Sequence, residues 1–348
     1  MNPYVLTILI SSLGIGTTLT FASSHWLLAW MGLEINTLAI IPLMTQQHHP
    51  RAVEAATKYF LTQATAAAMI LFASTTNAWM SGQWDILQTS NQLPATTIML
   101  ALALKIGLAP AHFWLPEVLQ GLDLTTGLIL STWQKLAPFA LIYQMAPNTN
   151  PTILITLGIT STLIGGWGGL NQTQLRKILA YSSIAHLGWM ITILHFMPNL
   201  TMLNLAIYIL MTSTMFLTAK IMSATKINTL ATAWAKAPTL TALTLLSLLS
   251  LGGLPPLTGF MPKWLILQEL TKQDLPIPAT VMAMSALLSL FFYLRLCYAM
   301  TLTISPNTNN ATSPWRLKST QTTLPTAITI AASLTLLPIT PAILAVTT

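Results

Sequence analysis

The sequence predicts an all-α, polytopic membrane protein of about 11 transmembrane helices, and three observations carry that expectation. Of 348 residues, 53% are hydrophobic and only 6% are charged, whereas soluble chains carry roughly 25% charged residues. Apolar stretches near the length of a membrane span recur along the whole chain. The few basic residues fall on alternate connectors between those stretches. A length that would suggest about two soluble domains therefore reads as one membrane domain, 1–348.

A spanning helix needs about 20 mostly apolar residues. With that ruler the spans fall near 3–22, 25–44, 57–80, 95–116, 124–145, 151–170, 177–196, 200–222, 239–268, 277–299 and 323–345. Short polar or proline-bearing connectors separate them, such as Gln46–Pro50 and Pro306–Pro314. With the N-terminus on the inner side, Arg51 and Lys58 follow the second span and Arg176 and Lys177 the sixth. Lys220, Lys226 and Lys236 follow the eighth, while Arg295, Arg316 and Lys318 end or follow the tenth. Lys272 alone sits on the outer side. This split obeys the positive-inside rule, and a wrong span count would scramble it. The +7 formal charge thus reports topology; no basic run interleaves with aromatics as nucleic-acid binding would require.

Four charges fit no connector: Glu34, Lys105, Lys135 and Lys263. A charge at the bilayer centre costs about 2.5–3.5 kcal/mol on insertion scales and persists where it faces the protein interior, a partner or a hydrated cavity. Structural ion pairs and snorkelling side chains are the plainer explanations. Snorkelling is hard for Lys135, deep in its span, and harder for the short Glu34. Burial disfavours the charged form of either group, whereas an approaching counter-ion restores it. A buried lysine whose counter-ion comes and goes can therefore load and release a proton. The expectation is a proton path in which Glu34 and Lys105 form the modulating pair and Lys135 and Lys263 continue it. His112 and His186 lie between these lysines in the chain and have the chemistry of a relay; packing is their plainer role. His48 and His49 belong to a solvated loop and make a poor metal site. Cys297, the only cysteine, reads as a small apolar filler and rules out an internal disulfide or a four-cysteine iron–sulfur site from this chain alone.

Two spans resist a continuous helix: Lys105-Ile-Gly-Leu-Ala-Pro110-Ala-His-Phe-Trp-Leu-Pro116 and Leu251-Gly-Gly-Leu-Pro255-Pro256-Leu-Thr-Gly-Phe-Met-Pro262-Lys263. Proline removes a backbone donor and clashes with the preceding turn, so both spans should break at membrane depth. Gly107, Leu108, Pro110 and Pro116 align without gaps on Gly253, Leu254, Pro256 and Pro262. The broken spans are the fourth and ninth, an odd number apart, so the repeats would be inverted. Inverted repeats with matching broken helices point to an ion path near the midplane. The expected organisation is 1–146 and 147–300 as two inverted five-helix repeats, with 301–348 supplying a connector and one C-terminal helix.

Other chemistries lack their residues. Gly14-Ile-Gly16 is followed by Leu19 where a dinucleotide-binding loop needs glycine. Gly165-Gly-Trp-Gly-Gly169 suits close helix packing. Neither a metal-ligand cluster nor a nucleophile with its base is recognisable. No secretory or transit segment is evident, so a chain of this kind working in an organelle is expected to be made there.

Trp30-Met-Gly-Leu-Glu-Ile-Asn36, Lys58-Tyr-Phe-Leu-Thr-Gln-Ala64, the 168–183 stretch ending Ala-Tyr-Ser-Ser183, and Leu251-Gly-Gly-Leu-Pro-Pro-Leu-Thr-Gly-Phe260 carry a further signal. With them the chain resembles, over its full length, the antiporter-like membrane subunits of respiratory complex I, NADH–ubiquinone oxidoreductase. The resemblance implies proton translocation coupled to quinone reduction elsewhere in the complex, with Glu34, Lys105, Lys135 and Lys263 at the family's charged positions. It implies no cofactor in this chain, with FMN, iron–sulfur clusters and ubiquinone held elsewhere. The implied partners are other core membrane subunits (chains 4L and 4 as neighbours, the lateral helix of chain 5), accessory subunits, and cardiolipin and other phospholipids; nucleic acid is not among them. The implied place is the mitochondrial inner membrane, N-terminus in the matrix and C-terminus in the intermembrane space. Bacterial relatives carry three more N-terminal helices, so contacts made by those do not transfer. Two competing readings are an autonomous cation/proton antiporter subunit of the same fold and a scaffold that transports nothing.

Overall fold

Helices are the only named elements among the described residues, which in this computed structural model are 2–89, 91–235, 237–302 and 323–347. Lys236, Arg316, Lys318 and the Pro306–Pro314 connector lie outside them. The helices run α1 (Pro3–Ala22), α2 (Trp26–Met44), α3 (Pro50–Ser81), α4 (Gln92–Ile106), α5 (Trp114–Gly121), α6 (Leu124–Ser131), α7 (Trp133–Met145) and α8 (Pro151–Gly169). They continue with α9 (Leu175–Ile193), α10 (Pro198–Ile221), α11 (Ile227–Ala231), α12 (Pro238–Gly252), α13 (Phe260–Lys272), α14 (Pro276–Thr301), α15 (Leu324–Thr335) and α16 (Thr340–Thr347). Proline opens α1, α3, α10, α12 and α14, where its missing N–H has no helical partner to lose. Before α1, Asn2 Oδ1 accepts from the Tyr4 amide at 3.2 Å.

The surface is inverted relative to that of a water-soluble protein. Tyr4, Ile8, Phe72, Trp79, Trp167 and Ile277 are widely exposed, while many serines and threonines are buried among the apolar core side chains. Those buried hydroxyls turn back onto their own helices. Ser74 donates to the Leu71 carbonyl at 2.9 Å, Thr214 to Met211 at 2.6 Å and Ser247 to Thr244 at 2.8 Å. Such internal bonding leaves the helix exteriors free of unmet polar groups, as a lipid surround demands.

Five helices are each long and apolar enough to cross a membrane: α1, α2, α8, α10 and α14. Leu324–Thr335 with Leu337–Ile343, bent by 62°, makes a sixth. The fourth, fifth, ninth and eleventh predicted spans are each divided into two shorter helices. The fifth and the eleventh were expected to be continuous, but the fifth breaks at Thr132 and the eleventh between Thr335 and Leu337. Pro138 is not the cause of the break at Thr132, because α7 runs through it and its ring reaches back only to Gln134, inside α7. The third span is longer than expected. At 32 residues, α3 is about 48 Å long against a hydrocarbon core of about 30 Å, so its first turns project beyond it. There Lys58 Nζ reaches Glu54 Oε1 at 2.7 Å and Glu117 Oε2 of α5 at 2.8 Å. The hydrogen bond from Lys58, and then its charge, hold the Glu54 carboxyl below the usual range. These groups are exposed, so the contact orients α5 on α3 more than it stabilises either.

The chain forms two compact units, Met1–Ser161 and Thr162–Thr348. In the first, α1 crosses α2 where Gly16 and Gly32 meet; a methyl on Gly32 would lie 2.9 Å from the Gly16 carbonyl oxygen. Around this pair, α3 packs on α2, α4 and α5, and α7 on α4. In the second unit α10 packs on α9, α12 and α15, and α14 on α12 and α13. The Gly165–Gly169 stretch does serve close packing. Gly165 lies against the α9 backbone at Ala185 and Gly169 against the Phe292 ring of α14.

The two proline-rich breaks have the same local build. Moving 146 residues along the chain takes the start of α4 at 92 to that of α12 at 238, its end at 106 to 252, and the start of α5 at 114 to that of α13 at 260. Both first helices end on a left-handed glycine, Gly107 at φ 87° and Gly253 at φ 80°. The next amide then bonds back to the last turn, Leu108 to the Ala103 carbonyl at 2.9 Å and Leu254 to Leu249 at 3.3 Å. This is the Schellman closure, and glycine reaches it without a Cβ penalty. The lysines are not equivalent in this register. Lys105 precedes its break, while Lys263 follows its own and falls at the position of Glu117.

Candidate functional site

In the first unit the two ends of broken helices bring Lys105 and Lys135 to one interior cavity. Lys105 occupies the last turn of α4 and Lys135 the first turn of α7. They are 6% and 3% exposed, so neither snorkels to water. Asn36, Tyr59, Gln63 and Gln134 share the lining. The cavity has about 20 Å³ of room for water, enough for a single molecule where polar partners surround it. Those partners are present. The Lys105 Nζ and both side-chain polar atoms of Asn36 are buried there without a hydrogen-bond partner among the described residues; Glu34 Oε2, also unpartnered, does not line the cavity.

Glu34, half-buried on α2, acts on Lys105 and Tyr59 through its charge and makes no direct ion pair with Lys105 among the described residues. The backbone around the cavity is fixed by side-chain amides and an indole. Gln63 Nε2 donates to the Lys105 carbonyl at 3.2 Å, Gln134 Nε2 to the Asn36 carbonyl at 3.3 Å, and Trp114 Nε1 to the Leu104 carbonyl at 3.1 Å. Two of these acceptors belong to the end of α4; the Leu104 carbonyl also accepts from the Gly107 amide at 3.1 Å, while the break takes the helical donor from the Lys105 carbonyl. Gln63→Leu is accordingly expected to cost about 1–2 kcal/mol by stranding the Lys105 carbonyl. A lowered unfolding temperature of the purified chain would report it.

His112 sits in the break between α4 and α5, buried, with Nδ1 3.2 Å from the Pro110 carbonyl and its ring 4.3 Å from that of Phe113. It does not line the cavity. In the second unit, Lys263 lies in the first turn of α13, half-buried, and its Nζ donates to the Gly252 carbonyl at 2.8 Å. That carbonyl belongs to the C-terminus of α12, where the helix dipole favours a cation. His186 is buried on α9 with its ring centre 5.6 Å from that of Tyr208. Cys297 is buried in α14, consistent with a filler.

The residues gathered here carry groups that can bind and release protons, and no metal-ligand cluster occurs among the described residues. An amine such as Lys105, facing a water-sized space, can exchange a proton with whatever enters, and a nearby carboxylate biases that exchange. Reading only charges in the sequence missed Asn36, Tyr59, Gln63 and Gln134. The available signal was uncharged polarity: Asn36 and Gln63 interrupt apolar runs at span depth as conspicuously as the lysines do.

The chain is similar to known proteins over its whole length. Residues 23–289 match the family described as NADH:quinone oxidoreductase/Mrp antiporter, TM, and 290–344 match the family described as NADH dehydrogenase subunit 2 C-terminus. It is 75% identical to the NADH-ubiquinone oxidoreductase chain 2 of Carassius auratus, covering 100% of both chains, and 69% identical to that of Squalus acanthias, again covering 100% of both. Among solved structures, a chain of respiratory complex I from Thermus thermophilus is 28% identical with a TM-score of 0.81, over 96% of this chain and 80% of that one. A chain of the Mrp complex from a Dietzia species has a TM-score of 0.85 at 16% identity, over 97% of this chain and 76% of that one, a likeness of fold. With a match across residues 23–289 and relatives at 69–75% identity end to end, this chain belongs to the NADH:quinone oxidoreductase/Mrp antiporter membrane family and, within it, to the NADH-ubiquinone oxidoreductase chain 2 proteins.

Proposed function

We propose that this chain is the antiporter-like membrane subunit through which complex I couples quinone reduction elsewhere in the assembly to proton translocation. The observation that carries the site assignment is the convergence of Lys105 and Lys135 on one water-sized cavity, with Glu34 acting on Lys105 through its charge. In this reading Lys105 and Lys135 pass a proton through the cavity, Glu34 modulates Lys105, and Lys263 with His186 serves the second half. His112 acts from the break beside Lys105. The half-helices pair as four broken spans, giving about eleven crossings: two inverted repeats, 1–146 and 147–300, followed by 301–348. The matching ends and caps of α4 and α12 support that organisation.

The partners are the other core membrane subunits (chains 4L and 4, the lateral helix of chain 5), accessory subunits, and cardiolipin with other phospholipids. FMN, iron–sulfur clusters and ubiquinone sit elsewhere in the complex, and this chain holds no cofactor of its own. Its place is the mitochondrial inner membrane, N-terminus in the matrix and C-terminus in the intermembrane space. A native gel of mild-detergent membrane extract, probed for this chain and stained for NADH oxidation, tests the assembly. Co-migration with a very large NADH-oxidising band is expected. A small, inactive species would favour an autonomous cation/proton antiporter instead.

A further inference from the structure

We infer that Asn36 holds a single water molecule between Lys105 and Lys135, and that this water carries the proton from one amine to the other. This rests on the proton-translocation reading above and adds the carrier and the residue that positions it.

Asn36 lies on α2, 2% exposed, and lines the same cavity as Lys105 of α4 and Lys135 of α7. Its carboxamide rests against Gly16 of α1, where a methyl would come within 2.5 Å of Asn36 Oδ1. Glycine at that crossing leaves the amide its room. The backbone of Asn36 is fixed as well, because Gln134 Nε2 of α7 donates to its carbonyl at 3.3 Å. The Lys105 carbonyl is held in the same way by Gln63 Nε2 of α3 at 3.2 Å. Both glutamines line the cavity too. They spend amide protons on the main chain of the two residues whose side chains point up a different need: Asn36 Nδ2, Asn36 Oδ1 and Lys105 Nζ are all buried without a hydrogen-bond partner among the described residues.

Burying a carboxamide without satisfying it costs free energy, and leucine would fill nearly the same volume without that cost. Water has the complementary groups. Its oxygen accepts from Asn36 Nδ2 or from an ammonium, and its protons go to Asn36 Oδ1 or to a neutral amine. The room of about 20 Å³ admits one such molecule and nothing larger. A carboxamide does not titrate, so Asn36 orients the water without taking its proton. In the transfer, the Lys105 ammonium gives a proton to the water oxygen while the water gives one of its own to the neutral Lys135 amine. One N–H bond breaks as one O–H forms, and one O–H breaks as one N–H forms. The charge passes from Lys105 to Lys135, and the water and Asn36 are left as they began.

The test uses the assembled complex in sealed vesicles. Asn36→Leu keeps the volume and removes both polar groups. NADH-driven acidification is expected to fall about tenfold or more, with assembly on a native gel unaltered. Asn36→Ser is smaller but polar and leaves room for a second water beside its hydroxyl, so it should recover most of that loss. A packing role would reverse the order, because leucine fills the site and serine leaves a hole. Wild-type acidification in assembled Asn36→Leu overturns the bridging water. So does an Asn36→Ser variant that fails to assemble or pumps no better than Asn36→Leu. Should Asn36→Leu not assemble, Asn36→Val is judged by the same criterion; failure of both to assemble marks Asn36 as a folding residue and overturns the bridging water as well. Lys105→Met, measured alongside, separates the two ideas. Its failure to pump while Asn36→Leu pumps normally rejects the water alone, and normal pumping in Lys105→Met rejects the underlying reading too.

Discussion

Lys135→Met should abolish proton translocation while the complex still assembles. The side chain is 3% exposed and lines the same cavity as Lys105, so methionine of similar length fills the space. Replacing a buried charge with a well-packed apolar group is often neutral for folding or stabilising. The function has no such tolerance, because a thioether cannot accept and donate the transferred proton. A fall of at least about a hundredfold in proton-coupled turnover is expected, read as NADH-driven acidification of vesicles. Full acidification would mean that Lys135 only fills space.

Gly253→Ala should be nearly as damaging, and for a backbone reason. Gly253 sits at φ 80°, and its added methyl would lie 2.9 Å from Lys263 Nζ. The left-handed conformation costs an alanine about 1–2 kcal/mol, and the methyl pushes the ammonium off the Gly252 carbonyl. Gly14→Ala is the control: it lies in α1 with open space around it. Its product should assemble and pump as wild type, while Gly253→Ala should give less assembled complex and weaker pumping in what does assemble. Native-gel yield and vesicle acidification measured on the same preparations separate the two effects.

How far the sequence could be read follows from which interactions are local. Proline and glycine act within a turn, so the breaks after Lys105 and before Lys263 were legible to the residue, including the shared register of Gly107 and Gly253. Charge is rare in lipid, so Glu34, Lys105, Lys135 and Lys263 stood out without a structure. What stayed hidden depends on neighbours distant in the chain. The break at Thr132 was missed because no proline or glycine lies between Gly127 and Pro138, so nothing within a turn of Thr132 marks it. That Lys105 and Lys135 would share a cavity follows from how α7 packs on α4, which no local pattern records. Nor could the sequence show that Glu34 and Lys105 stop short of an ion pair, or that Lys263 would be held by a helix terminus and not by a side chain. Amides such as Gln63 were passed over because their cost in lipid is lower than a lysine's and their partners are backbone carbonyls.

The most direct test is the number of protons moved per NADH oxidised by a complex carrying Lys105→Met, measured in sealed vesicles with assembly checked on a native gel. Assembly at wild-type level with translocation lost is the predicted result, because Lys105 is the amine that both Glu34 and the cavity address. An unchanged proton-to-NADH ratio in the assembled variant would contradict the account, leaving the buried lysines as structural residues only.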